Sequence, residues 1–208
     1  MKLTDFLYLV NDKEGGTWCL GFLLTGAVIF TCRHCTNGGR EILAIGKSKK
    51  YDARAIGYVV GKELYRKTKD GAIYEKVNYE TTYGNDMALM YVDGLEGEKR
   101  EIEEVFDDYK LFEQVYIPIP VFFRKRLRIG VAKTTIIYAD PDDELLLVSA
   151  PIPPGTSGSP ILNSNGKVIG MISATLGGVI GIGIGSHILY GFAKKVLQGG
   201  WKNEQNYK

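Results

Sequence analysis

Short apolar segments separated by turn residues run along almost the whole of this 208-residue chain, and they restrict it to a fold built mainly of β-strands. Trp18, Leu20, Phe22 and Leu24 alternate along one face of an extended segment, the period of two that a pleated backbone imposes. The runs AVIF, AIGYVV, MALMYV, QVYIPIPV, TTIIYA, ELLLVSA and KVIGMIS follow, most of them bounded by Gly, Asn, Asp or Pro. Two stretches carry a helical pattern instead. One is the first ten or so residues. The other runs from about Ser186 to Leu197, where Ile188, Leu189, Phe192, Ala193, Val196 and Leu197 share a face and Gly199 and Gly200 follow as a stop.

Between Asp93 and Glu113 the strand pattern gives way to DGLEGEKREIEEVFDDYKLFE, an acidic stretch poor in apolar residues that reads as a connector over the surface. It divides the strands into two sets: residues 1–92, a connector over 93–118, and residues 119–208 ending in the helix. With 45% apolar residues the chain can build a core in each half, and two packed six-stranded antiparallel β-barrels are the natural arrangement.

Charge and composition then exclude several classes of partner. The 26 basic and 24 acidic residues leave a net charge of +2, too little for a general attraction to nucleic acid or an anionic membrane. Met171 to Ala193 lacks Lys, Arg, Asp and Glu and is long enough to span a bilayer. Gly177, Gly178, Gly181, Gly183, Gly185 and Gly191 interrupt it, so MIS and VIGIGI read as strands around turns rather than as a membrane helix. The N-terminus meets acidic residues at once and shows no signal peptide, which points to an intracellular protein with free thiols at Cys19, Cys32 and Cys35.

Chemistry concentrates in three places. In PPGTSGSPIL, residues 153–162, glycines let the backbone turn tightly around Ser157, the candidate nucleophile, and a turn with Gly155 two residues earlier can aim the N–H groups of Gly155 and Ser157 at one oxyanion. The chain has only 2 histidines, and His34, at the end of the apolar run AVIFTCRHC, is the better placed general base; His187 opens the predicted helix and reads as structural. Asp86, in TTYGNDMALMYV, precedes a short strand and is the carboxylate best placed to orient an imidazole.

In the chain order His34, Asp86, Ser157, the sequence resembles the chymotrypsin-like serine peptidases: TCRHC is similar to their histidine motif, NDMAL to their aspartate motif and GTSGSP to their serine motif. KVIGMIS is similar to the strand that lines the substrate cleft in that family, and the resemblance covers roughly residues 15 to 193. It implies a serine endopeptidase with a catalytic triad, a polypeptide substrate and no cofactor, in the style of compact bacterial and viral members, viral ones of which process polyproteins. Thr156 replaces the aspartate common before the nucleophile in digestive relatives, and no activation-type N-terminal motif precedes the domain. The resemblance also puts Pro151, Ser173, Thr175 and Gly181 to Gly183 beside the serine as the substrate pocket. That stretch carries no acid or base, so the residue before the cleaved bond is expected to be small or apolar. Cys19 and Cys35 flank the strand pair that delivers the histidine, where many secreted relatives carry a disulfide, and they are either a bridge or a pair of reduced, packed thiols.

Two rival readings use other residues. Cys19, Cys32, His34 and Cys35 form a permitted zinc ligand set, although His34 and Cys35 are adjacent and the spacing lacks a second separated pair. The basic strand FFRKRLRIG, residues 122–130, with Arg124, Lys125, Arg126 and Arg128 beside Phe122 and Phe123, could serve a non-catalytic module binding nucleic acid. The glycine run at 181, 183 and 185 lacks the spacing of a phosphate loop.

Overall fold

The computed structural model describes residues 6–12, 18–36, 40–44, 50–60, 63–67, 74–78, 86–95, 101–123, 126–140 and 145–198. The first set of strands comprises β1 (Leu7–Asp12), β2 (Trp18–Thr25), β3 (Val28–Thr31), β4 (Arg40–Ala44), β5 (Lys50–Val60), β6 (Glu63–Lys67), β7 (Tyr74–Asn78) and β8 (Ala88–Val92). They form one sheet in the order β4-β1-β2-β3-β8-β5-β6-β7, in which β4 pairs with β1 on one side and β5 on the other. The second set is β9 (Gln114–Phe123), β10 (Arg126–Asp140), β11 (Leu145–Val148), β12 (Pro160–Leu162), β13 (Val168–Leu176) and β14 (Ile180–Gly185). These six close into a barrel in the order β10-β11-β14-β13-β12-β9.

Helix α1 (Ser186–Gln198) follows β14, over the span its apolar spacing predicts, while Gly199 and Gly200 lie outside the described residues. The N-terminal expectation is corrected, because Leu7–Asp12 is a strand. Phe6, Leu7, Tyr8, Leu9 and Val10 are all buried, with β2 and β4 flanking the strand. A short run covered on both faces has no alternation to show, so periodicity cannot tell it from a buried helix. The basic segment 122–130 is not one strand either: it turns between β9 and β10, which pair Phe123 with Arg126, and Arg124 and Lys125 lie outside the described residues.

The connector is tied down more firmly than its composition suggests. Val105 is buried, and its carbonyl accepts the N–H of Val168 at 2.9 Å, while Asp107 N–H donates to the Val168 carbonyl at 3.0 Å. Among the described residues no helix is long and apolar enough to cross a membrane.

Two close approaches join the halves. Helix α1 leaves the barrel and lays Leu189, Phe192, Ala193 and Val196 into the core of the first sheet, where Phe192 meets Phe30 edge-on at 5.5 Å between ring centroids. A Cβ on Gly57 of β5 would lie 2.5 Å from a Val196 methyl, so the helix sits on bare backbone. At the other contact, Leu20 N–H donates to the Ser157 carbonyl at 2.8 Å, and a Cβ on the neighbouring Gly158 would fall 1.9 Å from the Leu20 carbonyl oxygen. Gly158 also has φ +82°, a left-handed conformation that disfavours any side chain.

The nearest clash at Gly158 is with the Leu20 backbone, so no side-chain rotamer relieves it, and the Thr31 hydroxyl oxygen follows at 2.6 Å. Gly158→Ala is expected to cost about 3 kcal/mol or more, combining left-handed strain with overpacking. In a chain of this size that lowers Tm by at least roughly 6 °C in a thermal melt. A variant melting with the parent would show that the halves can separate by the width of a methyl group without loss.

Candidate active site

His34 stands on a single 3-10 turn, Arg33–Thr36, that follows β3, and Asp86 immediately precedes the buried segment Met87 and β8. Strands β3 and β8 are paired, with Thr31 opposite Ala88, so their adjacent ends carry the imidazole and the carboxylate to the same place. His34 Nδ1 lies 2.8 Å from Asp86 Oδ2, and the His34 backbone N–H donates to Oδ1 at 3.0 Å. Arg33 N–H also donates to the Asp86 carbonyl at 3.2 Å, so the turn is clamped to the aspartate by backbone as well as side chain.

A second side chain reaches the same carboxylate from the barrel. The Ser173 hydroxyl, on β13, donates to Asp86 Oδ2 at 2.6 Å. Burial of Asp86, whose side chain is 21% exposed, acts to raise its pKa. Hydrogen bonds from the His34 ring, the Ser173 hydroxyl and the His34 N–H outweigh that effect and hold the carboxyl below the usual aspartate value. The imidazole is 46% exposed, so it meets solvent on one side and a fixed charge on the other.

Ser157 sits in the turn between Pro153 and Ser159. Thr156 bonds the Pro153 carbonyl through both its N–H (3.3 Å) and its hydroxyl (2.7 Å), and Ser159 N–H donates to the Thr156 carbonyl at 2.9 Å. The buried Ser159 hydroxyl anchors the turn to the Pro118 carbonyl of β9 at 2.6 Å. Gly155 has φ +87°, which turns the chain back before the serine. The Ser157 hydroxyl donates to the Ser173 carbonyl at 3.3 Å. Among the described residues the N–H groups of Gly155 and Ser157 have no intramolecular acceptor, in a turn whose Thr156, Gly158 and Ser159 N–H groups are all bonded.

A continuous chain of contacts therefore runs from Ser157 through Ser173 to Asp86 and His34. Of the residues expected around a substrate pocket, Pro151 and Thr175 are exposed, with Thr175 donating its hydroxyl to the Ile180 carbonyl at 3.1 Å. Ser173 joins the hydrogen-bonded cluster just described. Gly181 and Gly183 are buried, and a Cβ on either would lie 2.7 Å from a core methyl, of Val148 and Ile161 respectively. Ile152 also closes on Gly181, at 2.9 Å from that Cβ position, and sequence reasoning passed over it because PIPP reads as a bare turn.

The cysteines divide into two kinds. Cys19 and Cys35 form a disulfide, with S–S 2.03 Å and Cα–Cα 6.1 Å, so of the two alternatives open in the sequence the structure takes the bridge. Both sulfurs are thereby withdrawn from the zinc set of Cys19, Cys32, His34 and Cys35. Cys32 is a fully buried free thiol, which the sequence offered only as a metal ligand. His187 opens α1 and packs against Tyr109, with ring centroids 6.0 Å apart.

Known proteins share the family and the fold. Residues 19–171 match the family model of the trypsin-like peptidase domain. No curated protein matches the chain by sequence. Among solved structures it is similar to the inactive Ser343Ala form of Rv3671c from M. tuberculosis H37Rv, at 15% identity and a TM-score of 0.66, over 94% of this chain and 88% of that one. A human pathogenic astrovirus serine protease aligns at 16% identity and a TM-score of 0.56, over 88% of this chain and 90% of that one. A serine endoprotease from Yersinia pestis aligns at 15% identity and a TM-score of 0.65, over 95% of this chain and 65% of the longer one. Carried by a family model that spans most of its length, this chain belongs to the trypsin-like peptidase family, the serine endopeptidases.

Proposed function

We propose that the enzyme cleaves polypeptides with Ser157 as nucleophile, His34 as general base and Asp86 as the group that orients and stabilises the imidazole. The observation that carries this reading is the chain of contacts from Ser157 through Ser173 to Asp86 and His34. In the free enzyme the serine hydroxyl donates to the Ser173 carbonyl, and a rotation about its Cα–Cβ bond turns it toward the imidazole. His34 Nε2 takes the hydroxyl proton as Ser157 Oγ bonds to the substrate carbonyl carbon, and the imidazolium is held by the Asp86 carboxylate at Nδ1. The oxyanion is received by the N–H groups of Gly155 and Ser157, each worth about 3 kcal/mol to the transition state. Collapse passes the proton from His34 to the departing amine and leaves an acyl-enzyme. Water, deprotonated by the same imidazole, then releases the acid and restores the serine.

The substrate would add as a strand. Beyond Met171, where pairing with β12 ends, Ala174 to Leu176 of β13 have only β14 as a strand partner among the described residues, and they are exposed next to Ser157. Side chains, not an ion, close the space beside this strand: Ile152 and Val148 stand against Gly181. This supports a preference for a small or apolar residue before the cleaved bond, since a charged one would be desolvated without a partner. The first sheet, with β4 joined to both β1 and β5, is read as the second barrel of the fold, and the halves as residues 1–92 and 119–208 about the connector 93–118. The reading extends to a processing role on the family resemblance of the sequence, the fold being shared with bacterial and viral serine proteases.

Fluorophosphonate, which esterifies an activated serine, is expected to label the parent protein and neither Ser157→Ala nor His34→Ala. Turnover of a peptide substrate by Ser157→Ala is expected to fall by roughly a millionfold with folding intact. Equal labelling of parent and Ser157→Ala would remove this serine from the mechanism, and silence in all three proteins would leave a binding module on a protease fold. In an unbiased peptide library, cleavage is expected after small or apolar residues, and strong preference for Lys or Arg would show an acidic group in the pocket that the present arrangement does not contain.

The depressed pKa of Asp86 also sets a pH dependence. A carboxyl with a folded pKa below its unfolded value adds stability above the unfolded value and loses it as pH falls through the folded one. The stability difference between the parent and Asp86→Asn is therefore expected to be full near neutral pH and to shrink below the ordinary value of 3.8. Denaturant melts of the two proteins across that range measure it, and a gap independent of pH would show that the Asp86 carboxyl titrates alike in the folded and unfolded states.

A further inference from the structure

Cys32 has no part in the proposed bond-making, yet it is fully buried beneath the groups that do. Its sulfur lies within 4.8 Å of both an Asp86 carboxylate oxygen and a ring nitrogen of His34, and its S–H donates to the Ile172 carbonyl at 3.2 Å. That carbonyl also receives the N–H of Gly158, the residue after the nucleophile, at 2.8 Å. The next residue, Ser173, bonds Asp86 with its hydroxyl and accepts the Ser157 hydroxyl with its carbonyl. This part of β13 therefore touches the serine turn and Asp86, and a thiol two residues before His34 links the histidine segment to it.

We propose that Cys32 is a positioning residue, whose sulfur, wedged between Asp86 and the Ile172 carbonyl, sets the distance between the His34–Asp86 pair and the turn that carries Ser157. The proposal rests on the triad reading above. Sulfur is suited to this position by size and by charge. A methyl group would leave a void at the junction of the two halves, and a hydroxyl oxygen, on a shorter bond, would stop short of the carbonyl. Burial first, and then the adjacent Asp86 charge, push the thiol well above its usual pKa, so it remains a neutral donor and places no second anion beside the carboxylate. Among the described residues, Asp86 and Cys32 are titratable groups that face His34, and the Cys19–Cys35 bridge beside it carries no charge.

A loosened wedge would let Asp86 and His34 drift, and an imidazolium less tightly held by its carboxylate has a lower pKa. The test measures kcat, KM and the NMR titration of the His34 ring in the parent, Cys32→Ala and Cys32→Ser, with His187→Gln used to assign the two histidines. Cys32→Ala is expected to lower kcat roughly tenfold at nearly constant KM, less than the hundredfold of a 1 Å misplacement. Its His34 midpoint, and with it the acid limb of kcat/KM, is expected to move to lower pH. Cys32→Ser is expected to show a smaller shift in the same direction, and it carries the test alone should the alanine variant not fold. A folded variant with the parent midpoint overturns the proposal, whether kcat is kept or lost, since a lost kcat would then report packing alone. The ring titration needs no substrate, so it decides the matter even if fluorophosphonate fails to label the parent, an outcome that would count against the triad reading and not against the wedge.

Discussion

The chemistry of this molecule depends on a place where two backbones meet with nothing between them. Leu20 donates to the Ser157 carbonyl at 2.8 Å, and the adjacent Gly158 has no room for even one carbon on the Leu20 side. Thr31, whose buried hydroxyl donates to the same Leu20 carbonyl at 2.8 Å, closes the third side. A serine on one sheet and a histidine on another can work together only if the sheets keep a fixed separation. Here the separation is set by hard atomic contact and short hydrogen bonds, which resist both approach and withdrawal. Helix α1 performs the matching task on the opposite margin, where Val196 rests on Gly57.

Given that fixed contact, Asp86 can be kept ionised in a largely buried place. Removing a carboxylate from water is unfavourable, and here three donors replace the lost solvent: two from His34 on its own half and one from Ser173 on the other. The donors come from both halves, so the electrostatic arrangement exists only when the two are packed together. Folding and site assembly are in this sense one event.

Much of this was legible in the sequence, for reasons that can be named. Strand β2 announces itself by the alternation of Trp18, Leu20, Phe22 and Leu24, although both of its faces are buried, and α1 does so by an apolar face in which only Leu189, Phe192, Ala193 and Val196 become fully buried among the positions marked. β1 did not, because Leu7, Tyr8, Leu9 and Val10 form an unbroken apolar run with no alternation to read. β12 is only three residues long, too short for any period. Within the site, His34, Asp86 and Ser157 stood out through rarity and through glycine-rich or strand-end context, properties that local sequence records. Ser173 reads in KVIGMIS as one polar residue at a strand end, and its bond to Asp86 spans 87 positions. Cys32 and Ile152 look like ordinary apolar residues because their significance lies wholly in what faces them. The choice between a bridge and two thiols at Cys19 and Cys35 turned on a Cα separation of 6.1 Å that no residue pattern encodes.

The turn around Ser157 shows how a departure from the family pattern can be absorbed. Where digestive relatives carry an aspartate before the nucleophile, this chain has Thr156, 1% exposed, and a buried carboxylate there would require a cationic partner. Threonine makes no such demand: its hydroxyl and N–H both end on the Pro153 carbonyl, three residues back in the same turn. Ser159 completes the support by reaching the Pro118 carbonyl on β9. The bonds made by Thr156 and Ser159 are neutral and internal to the barrel, and the bond that reaches the turn from the first sheet, Leu20 N–H to the Ser157 carbonyl, is neutral as well. In the proposed mechanism Ser157 is linked through Ser173 to Asp86, whose negative charge would favour the imidazolium that proton transfer creates.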